Sequence, residues 1–254
     1  MKYYLDTEFL EGTQKTFFGG KTKPTIDLIS IGLVDETGRE FYAINKDFNL
    51  KEAWNRHDLE VNKHFPQGPA YYKNYWLRDN VLRPIFDELY DKCFYAKTYW
   101  NKNNFCYKHL KLLIEWNGKS LPEIANGICA FIYGDDCEGS GMSAIEMAMK
   151  YDITDKTKNP EFYAYYADYD WVVFCWIFGS MMSLPKGFPM YCRDLKQILD
   201  ENIVKKVGGN MKEFDNVLNL VKGYTDYPKQ TNEHNALADA KWNKQLHEFL
   251  NKLT

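Results

Sequence analysis

The sequence predicts an α/β or α+β fold around one central mixed sheet, and three observations carry that prediction. β-rich segments open the chain, helical spacing of apolar residues fills its middle, and strand and helix alternate beyond residue 160. The 254 residues equal about 1.7 times the roughly 150 of a common domain. That allows one domain with insertions or two small ones, with ample chain for a core.

Taken in order, Lys2 to Leu5 opens a short apolar strand that runs into Asp6-Thr7-Glu8. Thr16 to Thr25 turns to glycine, lysine and proline and reads as a loop. Ile26 to Val34 is rich in isoleucine and valine and fits a buried strand, Asp35 to Gly38 is a turn, and Glu40 to Ile44 resumes β character. Together they predict a three-stranded antiparallel meander. Leu77, Val81, Leu82, Ile85, Phe86 and Leu89 recur at helical spacing despite Pro84. Ser120-Leu-Pro-Glu123 resembles a capping box ahead of a helix over Ile124 to Ile132. Gly134 to Gly141 reads as a loop, Ser143 to Met149 as one short helix, and Asp152 to Pro160 as a polar connector. Phe162 to Ala167 reads as a strand, and Tyr169 to Phe178 as an apolar helix stopped by Gly179. Met190 to Cys192 is a short strand leading into a helix over Leu195 to Leu199. The last helix runs from about Asn235 to Leu253, with Leu246, Phe249 and Leu250 on its apolar face. No internal repeat interrupts this order.

Composition removes several function classes. Apolar residues make up 45 % and charged ones 26 %, a balance that excludes wholesale disorder. Mean hydropathy is -0.54, and the longest apolar run, Trp171 to Phe178, falls far short of the roughly 18 residues of a membrane helix. Asp6 and Glu8 break the apolar stretch that an N-terminal export signal needs, so the expectation is a cytoplasmic protein without a membrane partner. With 32 basic against 35 acidic residues the net charge is -3, which excludes coating nucleic acid through bulk positive charge. The six cysteines form no C-x-x-C pair, and reduced thiols are expected, with Cys175 and Cys192 inert in apolar surroundings. Aromatic residues reach 17 %; most are core, and some could serve as base-stacking platforms.

Chemistry concentrates in three places. In a strand, residues i and i+2 share a face, so Asp6 and Glu8 project together while Thr7 faces away. Two adjacent carboxylates repel unless a cation joins them, and Mg2+ or Mn2+, with their preference for oxygen, resolve that conflict. Alone, the D-x-E pattern is also what a solvated strand face carries. Asp170 lies at a strand-to-helix junction, where a carboxylate is favoured by the helix dipole in any case, and Asp168 competes with it. His234 and Asp239 are five residues apart, about 140° around a regular helix. They can face one site only if His234 sits on a non-helical approach, with Asn232 as the cap, and Asp239 in the first turns.

As an ordered set these motifs resemble the DEDDh group of 3′-5′ exonucleases, which have the ribonuclease H-like fold. Within it, the chain is most similar to the mycobacterial polyadenylate-specific 3′-exoribonuclease family. The similarity rests on Tyr-Leu-Asp-Thr-Glu-Phe (4 to 9) with Ile-Asp-Leu-Ile-Ser-Ile-Gly-Leu-Val (26 to 34), Ala-Asp-Tyr-Asp-Trp-Val (167 to 172) and His-Asn-Ala-Leu-Ala-Asp-Ala (234 to 240). It covers about the first 45 residues and most of 162 to 250. The resemblance implies a single ribonuclease H-like α/β domain over 1–254, its mixed sheet flanked by helices, with a largely helical insertion at about 93–160. It implies Asp6, Glu8, Asp170 and Asp239 as ligands of two divalent ions, Mg2+ or Mn2+, and His234 as general base. Asp170 is preferred to Asp168 because the family's Tyr-Asp pair aligns with Tyr169-Asp170. The chemistry independently needs this inventory, since two ions about 4 Å apart activate water and neutralise the departing 3′ oxygen, and a histidine can take the proton.

The implied reaction removes 5′-mononucleotides from the 3′ end of single-stranded RNA. Rivals are the same chemistry on single-stranded DNA or short oligonucleotides, a non-catalytic RNA-binding module, and a metal-dependent phosphatase; a homodimer is compatible with all of them. Phe9 is a candidate wedge against the terminal base, or a core residue, and the Thr7 amide is a candidate contact to the 3′ sugar. Lys21 and Lys23, or Lys102, Lys108 and Lys111, are candidates for a phosphate rim. Trp100, Phe105, Tyr107 and Trp116 interleave with the latter lysines, which suits either a strand guide or a small satellite core.

Overall fold

The computed structural model describes residues 1–14, 19–62, 70–133, 159–208 and 210–253. Five strands form one sheet in the order β3-β2-β1-β6-β7: β1 (Lys2–Gly12), β2 (Thr25–Asp35), β3 (Glu40–Ile44), β6 (Glu161–Ala164) and β7 (Arg193–Asp194). The end of β2 meets the start of β1 through the Glu36 N–H to the Lys2 carbonyl (3.0 Å), and Thr22 N–H meets the Gln14 carbonyl (2.9 Å) at the other end. Those two strands are therefore antiparallel. β2 and β3 join through the 35–39 turn and are antiparallel too, as expected of the meander. β6 runs parallel to β1 and β7 parallel to β6, so the sheet is mixed and the fold is α/β.

The chain forms two compact units. The first comprises Met1–Thr7, Ser30–Ala43 and Ser120–Thr254; the second comprises Glu8–Ile29 and Ile44–Lys119. Period-2 alternation organises the first unit. Tyr3 and its register partner Phe162 face one helix layer, meeting Phe131 of α5 (Leu121–Tyr133) and Trp171 and Phe174 of α6 (Ala167–Ile177). Tyr4 and its partner Tyr163 face the other layer. There they pack with Leu195, Leu199 and Ile203 of α7 (Leu195–Lys206), Val221 of α8 (Phe214–Lys222), and Leu246 and Phe249 of α9 (Ala236–Leu253). With both faces covered, β1 and β6 carry aromatic and apolar residues at successive positions, as a buried strand requires.

One buried polar group sits in the second layer. His247 of α9 is 5 % exposed, its Nδ1 is 2.8 Å from the Tyr4 hydroxyl, and its ring stacks on Tyr163 at 4.3 Å. Burial, assisted by Lys2 and Arg193 and opposed by Glu161, pushes its pKa down to about 4. The unfolded chain protonates this histidine near its ordinary value of about 6.5. Its contribution is thus complete above about 6.5 and is lost as pH falls toward 4, a range worth roughly 3 kcal/mol at most. Denaturant unfolding between pH 7 and 4 should show this slope in the wild type and a shallower one in His247→Gln; equal slopes would remove His247 as the cause.

Three local differences from the sequence reading have physical reasons. The strand expected over 162–167 stops at Ala164, because Tyr166 takes a left-handed conformation (φ 57°) and its N–H donates to Asp194 Oδ1 (3.2 Å), opening α6 at Ala167. The strand expected at 190–192 lies at Arg193–Asp194, paired with Tyr163 and Ala164, while Met190 and Tyr191 are exposed. The helix expected from Leu77 takes a π-helical turn at Arg78–Leu82 before α2 (Arg83–Lys92), with the Arg83 N–H bonded to the Arg78 carbonyl. Pro84 has no N–H to offer a regular ladder there.

The second unit also holds α1 (Leu50–Asn55), capped by the Asn49 side chain, and a separate antiparallel hairpin, β4 (Asp58–Asn62) with β5 (Ala70–Asn74). It continues through α2 into α3 (Phe94–Tyr99) and α4 (Tyr107–Asn117). The capping motif expected before α5 is present in one arm: Glu123 accepts from the Ser120 N–H (2.6 Å) and hydroxyl (2.7 Å). The expected 134–141 loop and 143–149 helix lie outside the described residues, as does the 152–160 connector except for its last two positions. Among the described residues no helix is long and apolar enough to cross a membrane. The five described cysteines are free thiols.

Candidate active site

Strand parity divides the site between the two helix layers. Asp6 shares the Tyr4 face of β1, toward α9, and Thr7 shares the Tyr3 face, toward α6. Accordingly Asp170, in the first turn of α6, accepts from both the Thr7 N–H (2.8 Å) and the Thr7 hydroxyl (2.6 Å) through Oδ1. One oxygen each of Asp6, Glu8 and Asp239 lie within 4.8 Å of one another. Asp239 and Asp170 are each 6 % exposed and Glu8 is 9 % exposed, while Asp6 is half-buried and Asp168 is exposed to solvent. Of the two candidates on α6, Asp170 is the one turned into the protein.

Burial pushes the Asp170 carboxyl up to about 7; the two Thr7 hydrogen bonds oppose this, and the Asp194 and Asp239 carboxylates add to it. Asp239 is also raised by burial, against hydrogen bonds from Gln230 Nε2 (2.6 Å) and the His234 N–H (2.8 Å) and the nearby His234 ring. Carboxylates crowded in a buried place hold their charge only with a cation among them.

The approach to α9 sets the last two residues. Asn235, not Asn232, caps the helix: its Oδ1 accepts from the Ala238 N–H (3.0 Å). Asn232 (φ 57°) and His234 (φ 65°) are both left-handed, which for His234 is uncommon and costs backbone strain. That strain keeps His234 off the helix while Asp239 occupies its first turn, the arrangement needed for both to serve one site. Each Asp239 oxygen accepts one hydrogen bond and keeps a second lone pair for another ligand.

No family model matches the chain. Its relatives include 3′-5′ exoribonucleases from two strains of Mycobacterium tuberculosis, each 24 % identical over 201 residues, which are 79 % of this chain and 75 % of the relative. The chain is a distant homologue of a mycobacterial 3′-5′ exoribonuclease.

Several residues around the site were assigned no role from the motifs. Gly32 of β2 is one: a Cβ there would lie 2.3 Å from the Ala236 carbonyl oxygen and 2.5 Å from Leu237 Cα. Only glycine lets the start of α9 approach β2 this closely. Asn243, 1 % exposed, donates from Nδ2 to the Leu5 carbonyl (2.9 Å) immediately before Asp6. It stands four residues beyond Asp239, so the i, i+4 rule could have found it. Gln230 had no such spacing.

Of the other expected residues, Phe9 is half-buried and Lys21 and Lys23 are exposed. Lys102 pairs with Asp91 (2.7 Å) and Lys111 with Glu115 (3.4 Å), while Lys108 is exposed. Phe105 and Tyr107 pack against Trp54, and Trp100 stacks on His109 at 4.2 Å. Two of the three candidate guide lysines are thus engaged by carboxylates, and of the interleaved aromatics Trp100 also stacks on Trp116, which is half exposed. Cys192, expected in apolar surroundings, feels the Asp170 and Asp194 carboxylates, and burial together with those charges holds its thiol well above the usual range.

Proposed function

We propose that the chain is a metal-dependent 3′-5′ exoribonuclease of the DEDDh type, built on a ribonuclease H-like fold. It would remove 5′-mononucleotides from the 3′ end of single-stranded RNA. The observation that carries this reading is the convergence of Asp6, Glu8 and Asp239 within 4.8 Å, with Asp170 hydrogen-bonded to the Thr7 that lies between the first two. The mixed sheet and the distant homology support it.

The donor set suits Mg2+ or Mn2+, since every ligand atom is a carboxylate oxygen, the type these hard cations take. Asp6, Glu8 and Asp239, with the Asp170 oxygen left over by Thr7, would hold two such ions. Bound there, such ions would supply positive charge for the scissile phosphate and for deprotonation of water. Thr7 orients Asp170, and Gln230 and the His234 amide orient Asp239. The His234 imidazole takes the proton of the attacking water, and its left-handed backbone sets its approach. The implied substrate contacts are the Thr7 amide and Phe9; in this structure the Thr7 N–H is committed to Asp170.

The test is digestion of 5′-labelled RNA and DNA oligomers with and without Mg2+ or Mn2+, products being resolved by length. Metal-dependent shortening from the 3′ end, with release of 5′-monophosphates, is the expected result. His234→Ala should lower turnover by about 10²-fold or more while calorimetry still shows metal binding. Lost metal binding in that variant, or full activity without the imidazole, would remove its role as base.

A further inference from the structure

A cavity of about 440 Å³ lies wholly within the first unit, at the start of β6. Small-molecule sites span about 300–1,000 Å³, so the volume suits a ligand of that size. Glu161 and Phe162 of β6, Phe188, Tyr191 and Arg193 of β7 contribute to its walls. Glu161 is the register partner of Lys2 in β1, and Asp6 stands four residues further along that strand. At about 3.3 Å per residue this is roughly 13 Å. The cavity is therefore separate from the carboxylate cluster and takes no part in the proposed hydrolysis.

Its apolar wall is fixed before any ligand arrives. The Phe188 ring packs on Phe162 at 5.3 Å and on Phe174 at 6.2 Å. Its N–H donates to the Pro185 carbonyl (3.0 Å), and Gly187 takes the left-handed conformation (φ 92°) that the turn requires. The Tyr133 hydroxyl donates to the Lys186 carbonyl (3.1 Å) and ties that turn to α5. Two polar side chains of the lining are much less committed. Arg193 stands over the Tyr163 ring at 5.8 Å, and its Nε is 3.5 Å from Glu161, longer than the about 2.7–2.9 Å of a charge-assisted hydrogen bond. Among the described residues the Arg193 Nη atoms make no hydrogen bond. Tyr191 is 60 % exposed and stacks on no other ring among the described residues. Charge selects the ligand class. Lys2, with Nζ 6.0 Å from the same Tyr163 ring, and Arg193 outnumber the Glu161 carboxylate, so an anion is favoured. Tyr191 offers a face for a planar ring, and Arg193 a fork for a phosphate.

We infer that this cavity binds a nucleoside 5′-monophosphate, with the base stacked on Tyr191 and the phosphate held by Arg193. The choice of a nucleotide among anionic aromatic ligands rests on the nuclease reading, whose product is of this class, but the readout is binding. Calorimetric titration with AMP, in EDTA so that no metal fills the carboxylate cluster, compares the wild type with Tyr191→Ala, Tyr191→Phe and Arg193→Gln. Tyr191→Ala should weaken binding roughly 5- to 150-fold, the range spanned by loss of one stacked base, and Tyr191→Phe by no more than about threefold. Arg193→Gln should weaken it roughly 10- to 150-fold, as expected when hydrogen bonds to a charged group are lost. The wild type should bind adenosine and inorganic phosphate each at least about tenfold more weakly than AMP. Unchanged affinity in Tyr191→Ala or Arg193→Gln would overturn the site. So would adenosine or phosphate binding as tightly as AMP, and so would a wild type that binds no AMP. Should Arg193→Gln fail to fold, the exposed Tyr191 variants and the three-ligand comparison still decide. Hydrolysis of oligoadenylate by the wild type with Mg2+ is followed in parallel. Its absence would overturn the nuclease reading and leave the site standing on the binding comparison, whereas hydrolysis without AMP binding would do the reverse.

Discussion

Asp6→Asn is expected to lower RNA hydrolysis by at least about 10³-fold, more than 4 kcal/mol of transition-state stabilisation, while the metal-free protein becomes more heat-resistant. The two effects share one cause. Three carboxylate oxygens within 4.8 Å repel one another in the absence of a cation, so removing one charge relaxes the folded state. The same change deprives Mg2+ or Mn2+ of a ligand, and the stabilisation that bound metal adds by mass action shrinks with it. Thermal unfolding with EDTA and with saturating Mg2+ reads both terms. In the wild type the metal should raise the midpoint clearly; in Asp6→Asn the EDTA midpoint should be higher and the metal increment small. A variant that stays active, or a metal increment equal to that of the wild type, would take Asp6 out of the site.

Gly32→Ala should have the next largest effect, although Gly32 carries no chemistry. Its new methyl would meet backbone atoms of Ala236 and Leu237 at 2.3 to 2.5 Å, and backbone cannot rotate aside. The start of α9 must retreat, and His234 and Asp239 retreat with it. Overpacking of this kind costs about 1–3 kcal/mol, a fall of roughly 3–10 °C in midpoint for a chain of this size. A displacement near 1 Å at the reacting groups costs about 10² in turnover. Gly127→Ala is the control: its Cβ would meet the Phe41 ring edge at 2.7 Å, and a side chain can turn away. Turnover should therefore survive Gly127→Ala. Equal activity of both variants would show that the closeness of β2 and α9 does not position the site.

The parts of the fold that were legible in the sequence are those whose burial leaves a pattern. β2 is buried from Leu28 onward, and its Ile/Val run marked it within a residue or so at each end. The β4–β5 hairpin left no such pattern, because Leu59, Val61, Tyr71 and Tyr72 are exposed and its apolar residues do not mark a core face. By contrast α8, which the sequence analysis did not identify, carries a helical signal in Phe214, Val217, Leu218 and Val221, spaced three, four and seven apart, and all four pack on the core of the first unit. At the site, the spacing of Asp6 and Glu8 was informative because a strand alternates with a fixed period. The preference for Asp170 over Asp168 came from aligned motifs, and burial separates the two in the same sense. Gly32 lies inside the matched 26–34 stretch, but nothing local could reveal its role, or the roles of Gln230 and the Thr7 hydroxyl. Their roles depend on partners far away in the chain, and a lone sequence does not record who meets whom.

That Asp6 comes from the first strand and Asp239 from the last helix also gives the site a history. The two are 233 positions apart (239 − 6). At 5–20 residues per second, a ribosome that has made Asp6 needs roughly 10 to 50 s more to reach Asp239. Throughout that interval the growing chain carries Asp6 and Glu8 without their third carboxylate, and without His234. Asn243, which ties α9 to the Leu5 carbonyl, is made later still. The carboxylate cluster is therefore complete only once α9 has been made, so any chemistry that depends on it is acquired late in synthesis.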